Sequence, residues 1–327
     1  MKLISVVLLS VSLAAPALAG VDEALRDHIL PGYAGFAEAT EDLALAARDD
    51  CRAEALVPAF HATFDAWMPV ADLRLGPSET GALSIAFWPD PRGFTPRTLG
   101  RLIAEKDPVA DDGDGYADVS IAARGVFALE MLLFDPEFSG YTDGSYTCRL
   151  VATIAADLDR QADALVADWT DFAETLRTAG ETGNAVYLTE EEAVRAIYTQ
   201  ILSSLEFTTN GRLGQPMGTF DRARPARAEA RRSERSLRNT VLSAVAAHGL
   251  ATALADWDLP EADAALERVR EAAARIEDPA FQDVTDPQAR LRVEVLQQAV
   301  RSLSGAIQSE IGARLGIAPG FNSQDGD

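Results

Sequence analysis

Lysine, histidine and cysteine are scarce in this chain of 327 residues. Lysine occurs only at positions 2 and 106, so arginine carries nearly all of the positive charge. The formal net charge is −22, which argues against binding to nucleic acid or to anionic membrane surfaces, because both repel a negative protein surface. This charge is compatible with capture of cations, and it also confers solubility.

The sequence also lacks the common catalytic motifs. It contains no HExxH, no GxSxG, no Walker loop and no dinucleotide fingerprint. A zinc peptidase site on one helix needs two histidines one turn apart beside a glutamate. The three histidines, His28, His61 and His248, lie in three separate predicted helices, so any shared metal would depend on tertiary packing.

Long apolar runs are absent except at the N-terminus. There Lys2 precedes an apolar run from Leu3 to Leu13, and Ala17 and Ala19 form the small-x-small pattern of a signal peptidase site. We predict a signal peptide over residues 1–19, with no lipid anchor because no cysteine follows the site. No other stretch approaches the roughly 20 apolar residues that span a bilayer. The mature chain is expected to be a soluble protein of the periplasm or cell envelope.

Only two cysteines, Cys51 and Cys148, are present. In an oxidising compartment an even count without zinc-like spacing favours a disulfide. Each cysteine begins a long helical pattern, so a disulfide would join two neighbouring antiparallel helices near one end. The alternative is two unrelated buried thiols.

The spacing of apolar residues predicts an all-α protein with eight long helices and no strand. Thr189 and Glu192 form a capping box at the start of the fifth helix. Two groups of four helices predict two four-helix bundles, over residues 20–182 and 183–327. Residues 72–117 and the NGRLGQPMG stretch are predicted to be irregular. The predicted helices are Val21–Asp50 with a bend at Pro31, Cys51–Ala71, Gly125–Asp135, Leu150–Leu176, Thr189–Thr209, Ala226–Leu254, Glu261–Glu277 and Pro287–Leu315.

Glu130 is the most informative single residue. In a helix, its neighbours three and four positions away are Val126, Phe127, Leu133 and Phe134, all apolar. A buried acid is almost never left unpaired. An arginine, a hydrogen-bond network or a metal must therefore meet Glu130, or its pKa must rise enough to keep it neutral. A structural ion pair without any chemistry would satisfy the same requirement.

Seven arginines lie between Arg222 and Arg238. They could be solvated or pair with surface carboxylates. The apolar stripe of the predicted sixth helix becomes polar toward its start, however, at Ser233, with Ser236 one step to the side. Arg232 is the neighbour best able to bind a buried carboxylate with two hydrogen bonds. A polar inward patch facing Glu130 would form a site between the two bundles.

Six segments together resemble the imelysin family of bacterial envelope proteins, a family that is classed with the metallopeptidases and linked to iron handling. The resemblance covers the whole mature chain and implies two four-helix bundles packed face to face across a cleft. The segments are FHATFDAWMPVADLRLGP (Phe60–Pro77), FWPD (Phe87–Asp90), GVFALEMLLFD (Gly125–Asp135), NGRLGQP (Asn210–Pro216), ERSLRN (Glu234–Asn239) and GFNSQDGD (Gly320–Asp327).

The family signature G-x-H-x-x-E is incomplete in this chain. Gly125 and Glu130 match it, but Phe127 occupies the position of the histidine. The histidine and the glutamate are the family's presumed metal ligands, so this chain lacks the softer one. A metal at Glu130 would need His61 or another acid from a neighbouring helix as a further ligand.

The resemblance implies an imelysin-like periplasmic binding protein with a ligand or metal cleft between the bundles and a role in iron or haem uptake. The alternatives are a metal-dependent peptidase, which is disfavoured by the loss of the histidine, and a non-catalytic scaffold that docks a partner. Iron-uptake or other envelope proteins are the expected partners. The cleft is predicted to be lined by Trp67, Arg74, Asp90, Gly125, Phe127, Glu130, Arg212, Arg232, Ser233 and Ser236.

Overall fold

Helices make up almost all of the regular structure in residues 20–316, which are the residues that the structure, a computed structural model, describes. The predicted signal peptide and the GFNSQDGD segment lie outside them. Across the described range the extended structure is limited to one isolated bridge, so the all-α prediction is confirmed. The α-helices are α1 (Val21–Ala24), α2 (Leu30–Asp49), α3 (Ala53–Trp67), α4 (Ser78–Ile85), α5 (Phe94–Glu105), α6 (Gly125–Phe134), α7 (Tyr146–Arg177), α8 (Glu190–Phe207), α9 (Gly214–Met217), α10 (Ser236–Leu254), α11 (Pro260–Ala273) and α12 (Pro287–Ile307).

The helices pack in two groups. In the first half of the chain, α2 packs against α3 and α7, and α6 packs against the same two helices. In the second half, α8 and α11 both pack against α10 and α12. The short helix α1 contacts α10 and so connects the halves. This pattern is consistent with two four-helix bundles, and the boundary at residues 182 and 183 stays a prediction.

Aromatic side chains fill the core of the first group. Tyr33 of α2 stacks on Trp169 of α7, with ring centroids 5.1 Å apart. Phe36 of α2 lies against Trp67 of α3, with centroids 4.8 Å apart. From residue 20 to residue 316, no helix combines the length and apolar character needed to cross a bilayer.

The predicted disulfide between Cys51 and Cys148 is confirmed, and the alternative of two separate thiols is wrong. Cys51 lies just before α3 and Cys148 lies in the first turn of α7, with their Cα atoms 5.2 Å apart. The disulfide therefore joins two elements that are 97 residues apart in sequence.

The helix predicted from Val21 is interrupted one turn before Pro31. A π-helical segment, Leu25–Ile29, connects α1 to α2, and Pro31 lies at the start of α2. The wider turn thus comes immediately before a residue that has no N–H to donate.

Two stretches predicted to be irregular contain helix instead. Residues 72–117 include α4 and α5, and α5 buries Leu99 and Leu102 while Phe94 remains exposed. The NGRLGQPMG stretch lies largely in a π-helical segment, Thr208–Leu213, and in α9. Gly81 and Gly100 lie inside α4 and α5, where a glycine lowers helix propensity without preventing the helix, and Pro96 lies in the first turn of α5.

The predicted sixth helix is shorter than the arginine pattern indicated. It begins at Ser236 and not at Ala226, because residues 228–235 form consecutive turns. Two residues in this segment, Ala230 and Glu234, have left-handed backbone conformations with φ of 46° and 55°. A residue with positive φ ends an α-helix, so helix periodicity cannot describe this segment.

Candidate functional site

Helix α6 is buried on every side, which is why its one acid is buried too. All residues from Gly125 to Leu133 are buried, and Glu130 is only 3% exposed. A helix with apolar residues on all faces belongs to the protein interior. Glu130 therefore requires polar partners from another element.

The partners of Glu130 come from the segment before α10. Its Oε1 atom accepts hydrogen bonds from the backbone N–H groups of Arg232 at 3.0 Å and Ser233 at 3.1 Å, and Ser233 Oγ lies 3.0 Å away. All three contacts end on Oε1. Burial raises the pKa of Glu130, and the hydrogen bonds from Ser233 together with the charge of Arg232 oppose that rise. The sequence left several ways to accommodate a buried Glu130. The structure shows two of them together, a hydrogen-bond network around the carboxyl and a raised pKa of Glu130.

Residues 228–235 form a cradle of backbone donors, which we call the Ser233 segment. Its left-handed residues, Ala230 and Glu234, bracket Arg232 and Ser233. Arg235 N–H donates to the Ala230 carbonyl at 3.0 Å, which closes the turn. Successive N–H groups in such a conformation converge on one anionic oxygen, as they do in a nest. The Ser233 segment thus holds the Glu130 carboxyl with its main chain.

The guanidinium of Arg232 does not bind Glu130, contrary to prediction. Its Nε donates to Asp135 Oδ2 at 2.5 Å, and only its backbone N–H reaches Glu130. Burial opposes the charge of Asp135, but the hydrogen bond from Arg232 lowers the pKa of Asp135. The side chain of Arg232 therefore pairs with Asp135, a partly exposed acid at the end of α6, and not with Glu130.

A cavity of about 160 Å³ lies beside Glu130, and we call it the Glu130 cavity. Four parts of the chain enclose it: residues 87–96, the middle of α6, Gln215 of α9 and residues 226–232. Its wall carries aromatic, proline and methionine side chains, and its ionisable residues are Asp90, Glu130, Arg227 and Arg232. The mixture of an apolar wall with a few polar groups is typical of a small-ligand site.

Gly125 positions α6 against the end of α4. Its φ is +70°, and a Cβ atom built on it would lie 2.0 Å from the carbonyl oxygen of Ile85. Only glycine permits this approach. The contact brings the chain that follows α4, including the FWPD segment, next to the first turn of α6.

Phe127 separates the Glu130 cavity from a second, smaller one. It lines both cavities, and so does Trp88. The second cavity measures only about 20 Å³ and lies beside α3 and Arg212. The ring of Phe127 meets Phe64 edge to face, with centroids 5.6 Å apart. The residue in the histidine position of the motif is thus part of an apolar partition.

A network of buried charged residues lies at the wall of the second cavity. Arg212, which is 2% exposed, donates to both carboxylate oxygens of Asp72 at 2.8 and 2.9 Å, and to Glu229 at 2.9 Å. Ser243 Oγ donates to Asp72 at 2.7 Å. Burial disfavours both charged forms, but the two acids raise the pKa of Arg212, and Arg212 lowers the pKa of Asp72. This network joins the end of α3 to the second half of the chain.

His61 belongs to a different cluster from Glu130. Its Nδ1 lies 3.1 Å from Nη1 of Arg235, which also binds Asp65. Burial and the positive charge of Arg235 both lower the pKa of His61. Within the described chain, three potential metal ligands converge only at Cys51, Asp143 and Cys148, and those cysteines form the disulfide. Neither Glu130 nor His61 belongs to such a group among residues 20–316.

The predicted cleft residues fall into three groups. Asp90, Phe127, Glu130 and Arg232 line the Glu130 cavity. Trp67, Arg74, Phe127 and Arg212 line the second cavity. Gly125, Ser233 and Ser236 line neither, and Ser236 Oγ donates to the Glu229 carbonyl at 2.6 Å.

Sequence reasoning missed several residues of the site. Trp88 and Gln215 line the Glu130 cavity, and both lie within motifs that the sequence offered, FWPD and NGRLGQP. Arg227 also lines it, but nothing in the sequence distinguishes this arginine from its neighbours. Asp72 has Met68, Pro69 and Leu75 three and four positions away, but it begins the stretch that was predicted to be irregular, so helix spacing was not applied to it. Glu229 lies at the polar start of the predicted sixth helix, four positions before Ser233.

The Glu130 cavity offers several polar groups that a ligand could contact. Glu130 offers one carboxyl oxygen, Oε2, that takes part in none of the hydrogen bonds described above, and Gln215 offers a side-chain amide. Asp90 is occupied, because its two oxygens accept the N–H groups of Phe94 at 2.9 Å and Thr95 at 2.8 Å.

Comparison with known proteins identifies relatives of the chain. The family model described as Imelysin matches residues 29–307. Among proteins of curated function none matches.

Two solved structures share the fold. An imelysin-like protein from Psychrobacter arcticum has a TM-score of 0.75 at 18% identity, covering 92% of this chain and 96% of the other. A protein from Parabacteroides distasonis, named as an iron-regulated protein A precursor, has a TM-score of 0.69 at 14% identity, covering 90% and 96%. At these identities the likeness concerns the fold.

Proposed function

Because the chain belongs to the imelysin family, we propose that it is a binding protein of the cell envelope whose ligand occupies the Glu130 cavity and whose role lies in iron handling. The observation that carries the proposal is the environment of the Glu130 carboxyl. This acid is buried, held on one oxygen by the Ser233 segment, and lines a cavity with the other polar groups of the site. A carboxyl that is fixed in position and lines a cavity with a largely apolar wall can act as a recognition element.

The link to iron and to the envelope rests on three supports. One structural neighbour is named as an iron-regulated protein A precursor, and the proposal extends that link to this chain. The N-terminal sequence has the features of a cleaved export signal. The disulfide is typical of a protein that folds in an oxidising compartment such as the periplasm. Other envelope proteins of iron uptake would then be its partners.

The residues around Glu130 do not fit a resident metal ion. Oε1 already accepts hydrogen bonds, Phe127 brings no donor atom, and His61 is occupied by Arg235. Sites for transition metals need several imidazole, thiolate or carboxylate donors in a defined geometry. A haem does not fit the cavity either, because sites for drug-sized ligands measure about 300 to 1,000 Å³. The same donor set argues against the metal-dependent peptidase.

The decisive experiment measures cellular iron. A strain that lacks the gene is expected to accumulate less iron under iron limitation, the wild-type gene should restore accumulation, and Glu130→Gln should not. The substitution keeps the size of the side chain and can keep an acceptor oxygen at the Ser233 segment, but it removes the charge and replaces the ligand-facing oxygen Oε2 with an N–H donor. Glu137→Gln is the matched control, because Glu137 is an exposed acid just after α6.

Restoration by Glu130→Gln would contradict the proposal, and so would a deletion without effect on cellular iron. Metal and haem analysis of the mature protein purified from the periplasm completes the test. The expected result is that neither iron nor haem is present in stoichiometric amount, whereas a stoichiometric metal that disappears in Glu130→Gln would restore the metal-site hypothesis. Circular dichroism of each variant checks that it is folded.

Phe127→His is expected to create metal binding that the natural chain lacks. The new imidazole would lie three residues before Glu130 on the same helix and restore the family pattern. We expect Zn²⁺ to bind at least about tenfold more tightly, equivalent to about 1.4 kcal/mol. Equilibrium dialysis followed by elemental analysis measures it, with Phe127→Asn as the polar control that adds no imidazole. Equal zinc binding by the natural chain and by Phe127→His would contradict the interpretation that Phe127 occupies the position of a metal ligand.

A further inference from the structure

We propose that the Glu130 cavity selects a small hydroxycarboxylate, with its carboxylate at Arg227 and Arg232, its apolar body against the aromatic wall and its hydroxyl at Glu130. The inference rests on the proposed function in one respect, that this cavity is the binding site. It adds the chemical class of the ligand and the direction in which the ligand lies.

The positive groups of the cavity have unused hydrogen-bonding capacity. Arg227 is exposed, lines the cavity, and its guanidinium forms no hydrogen bond or ion pair with another described residue. Arg232 donates to Asp135 through Nε, which leaves its terminal nitrogens outside that pair. Two guanidinium groups with free N–H donors bind a carboxylate well, because the geometry of the two planar groups matches.

The acids of the cavity have less hydrogen-bonding capacity left for a ligand. Asp90 accepts the N–H groups of Phe94 and Thr95, one on each oxygen. Glu130 accepts its hydrogen bonds on Oε1 and keeps only Oε2 for a ligand. The free donors therefore outnumber the free acceptors, and this favours an anion over a cation although the protein carries a net charge of −22.

Two groups that line the cavity differ in exposure, and we infer the orientation of the ligand from this difference. Arg227 is exposed, whereas Glu130 is buried. A charged carboxylate loses less hydration beside the exposed Arg227, and a neutral hydroxyl can be buried if it forms a hydrogen bond. The ligand therefore enters with its hydroxyl first and reaches Glu130 Oε2.

The wall and the volume limit the body of the ligand. Trp88, Pro89, Phe127 and Met131 supply an apolar surface around the middle of the cavity. A cavity of about 150 Å³ holds a benzene molecule in another protein, and this one measures about 160 Å³. A single ring or a short branched chain fits, with the carboxylate at the open end.

Calorimetric titration with three related probes tests the proposal. The probes are 4-hydroxybenzoate, benzoate, which lacks the hydroxyl, and 4-hydroxybenzamide, which lacks the charge. The natural protein is expected to bind 4-hydroxybenzoate more tightly than either of the others. Arg227→Gln should weaken 4-hydroxybenzoate about tenfold, or about 1.4 kcal/mol, and leave 4-hydroxybenzamide unchanged. Glu130→Gln should reduce the preference for 4-hydroxybenzoate over benzoate.

Arg222→Gln is the matched control, because Arg222 is exposed in the same stretch of chain but does not line the cavity. The proposal is overturned if 4-hydroxybenzamide binds as well as the acid, if Arg227→Gln has no effect, or if no probe binds at concentrations on the order of 10 mM. If such a result is obtained while Glu130→Gln still fails to restore iron accumulation, only the ligand class is overturned. If Glu130→Gln restores iron accumulation, the proposed function is overturned as well.

Discussion

Replacing Arg212 with methionine is expected to lower the free energy of unfolding by about 3 to 5 kcal/mol. The arginine is 2% exposed and binds Asp72 with two hydrogen bonds and Glu229 with a third. Methionine fills much of the same space but leaves both acids buried without the guanidinium that binds them. The cost arises mainly from these stranded carboxylates, because an uncompensated charge in the interior is far less favourable than a hydrated one.

Denaturant unfolding at neutral pH measures this loss, and Arg238→Met is the matched control. Arg238 also pairs with an acid, Asp65, but its side chain is 58% exposed. Exposed ion pairs contribute about 0 to 1 kcal/mol, so the control should unfold at nearly the same denaturant concentration as the natural chain. A loss for Arg212→Met as small as that for Arg238→Met would show that the buried network does not stabilise the fold.

The pH dependence gives a second measurement of the same prediction. In the natural protein Arg212 lowers the pKa of Asp72, so its contribution to stability is present above the ordinary pKa of 3.8 and is lost only as the pH falls below that value. Without Arg212, burial would instead raise the pKa of Asp72. Asp72 of the variant then takes up its proton at a higher pH than Asp72 of the natural protein, so the stability difference between the two proteins should shrink as the pH falls toward the ordinary pKa of 3.8.

Replacing both Cys51 and Cys148 with alanine is the second large change. The disulfide closes a loop of 97 residues in sequence separation, and the chain-entropy model gives a loop of about 100 residues some 4 to 5 kcal/mol. That figure is the entropic limit, because residual structure in the unfolded chain reduces the effect. We expect the variant to unfold at a clearly lower denaturant concentration.

Reductant provides the control for the disulfide. Treating the natural protein with dithiothreitol should reproduce the lower unfolding midpoint of the double variant, and the variant itself should not respond. An oxidised natural protein that unfolds at the same denaturant concentration as the double variant would contradict the prediction. Because the protein has two groups of helices, the transition should be followed with two probes before a free energy is calculated.

Local patterns in the sequence were sufficient for much of the fold. The capping residue Thr189 accepts a hydrogen bond from the Glu192 N–H, as predicted, because a cap depends only on residues three apart. The apolar run around Glu130 predicted α6, and the periodicity from Leu150 to Leu176 predicted α7. The family resemblance, which rests on the order of several short segments, predicted membership that the family model confirms.

Patterns of regular spacing were misleading where the backbone leaves regular structure. The arginine-rich stretch was predicted to be the first turns of α10, but Ala230 and Glu234 adopt left-handed conformations that end a helix. Their conformation is stabilised by contacts with a distant residue, since Arg232 and Ser233 N–H groups bind Glu130 about a hundred positions earlier in the chain. Propensity of the local sequence contains no information about that partner.

The sequence by itself was sufficient to predict most of the long helices, the disulfide and the need of Glu130 for a polar partner, because each depends on spacing along the chain or on a cost that any fold must meet. Tertiary structure alone decided which partner each charged residue has. Glu130 is held by backbone N–H groups, Arg232 turns to Asp135, and Arg212 binds Asp72 and Glu229. The physical reason is that hydrogen bonds and ion pairs act over a few ångströms, so they depend on which elements pack together.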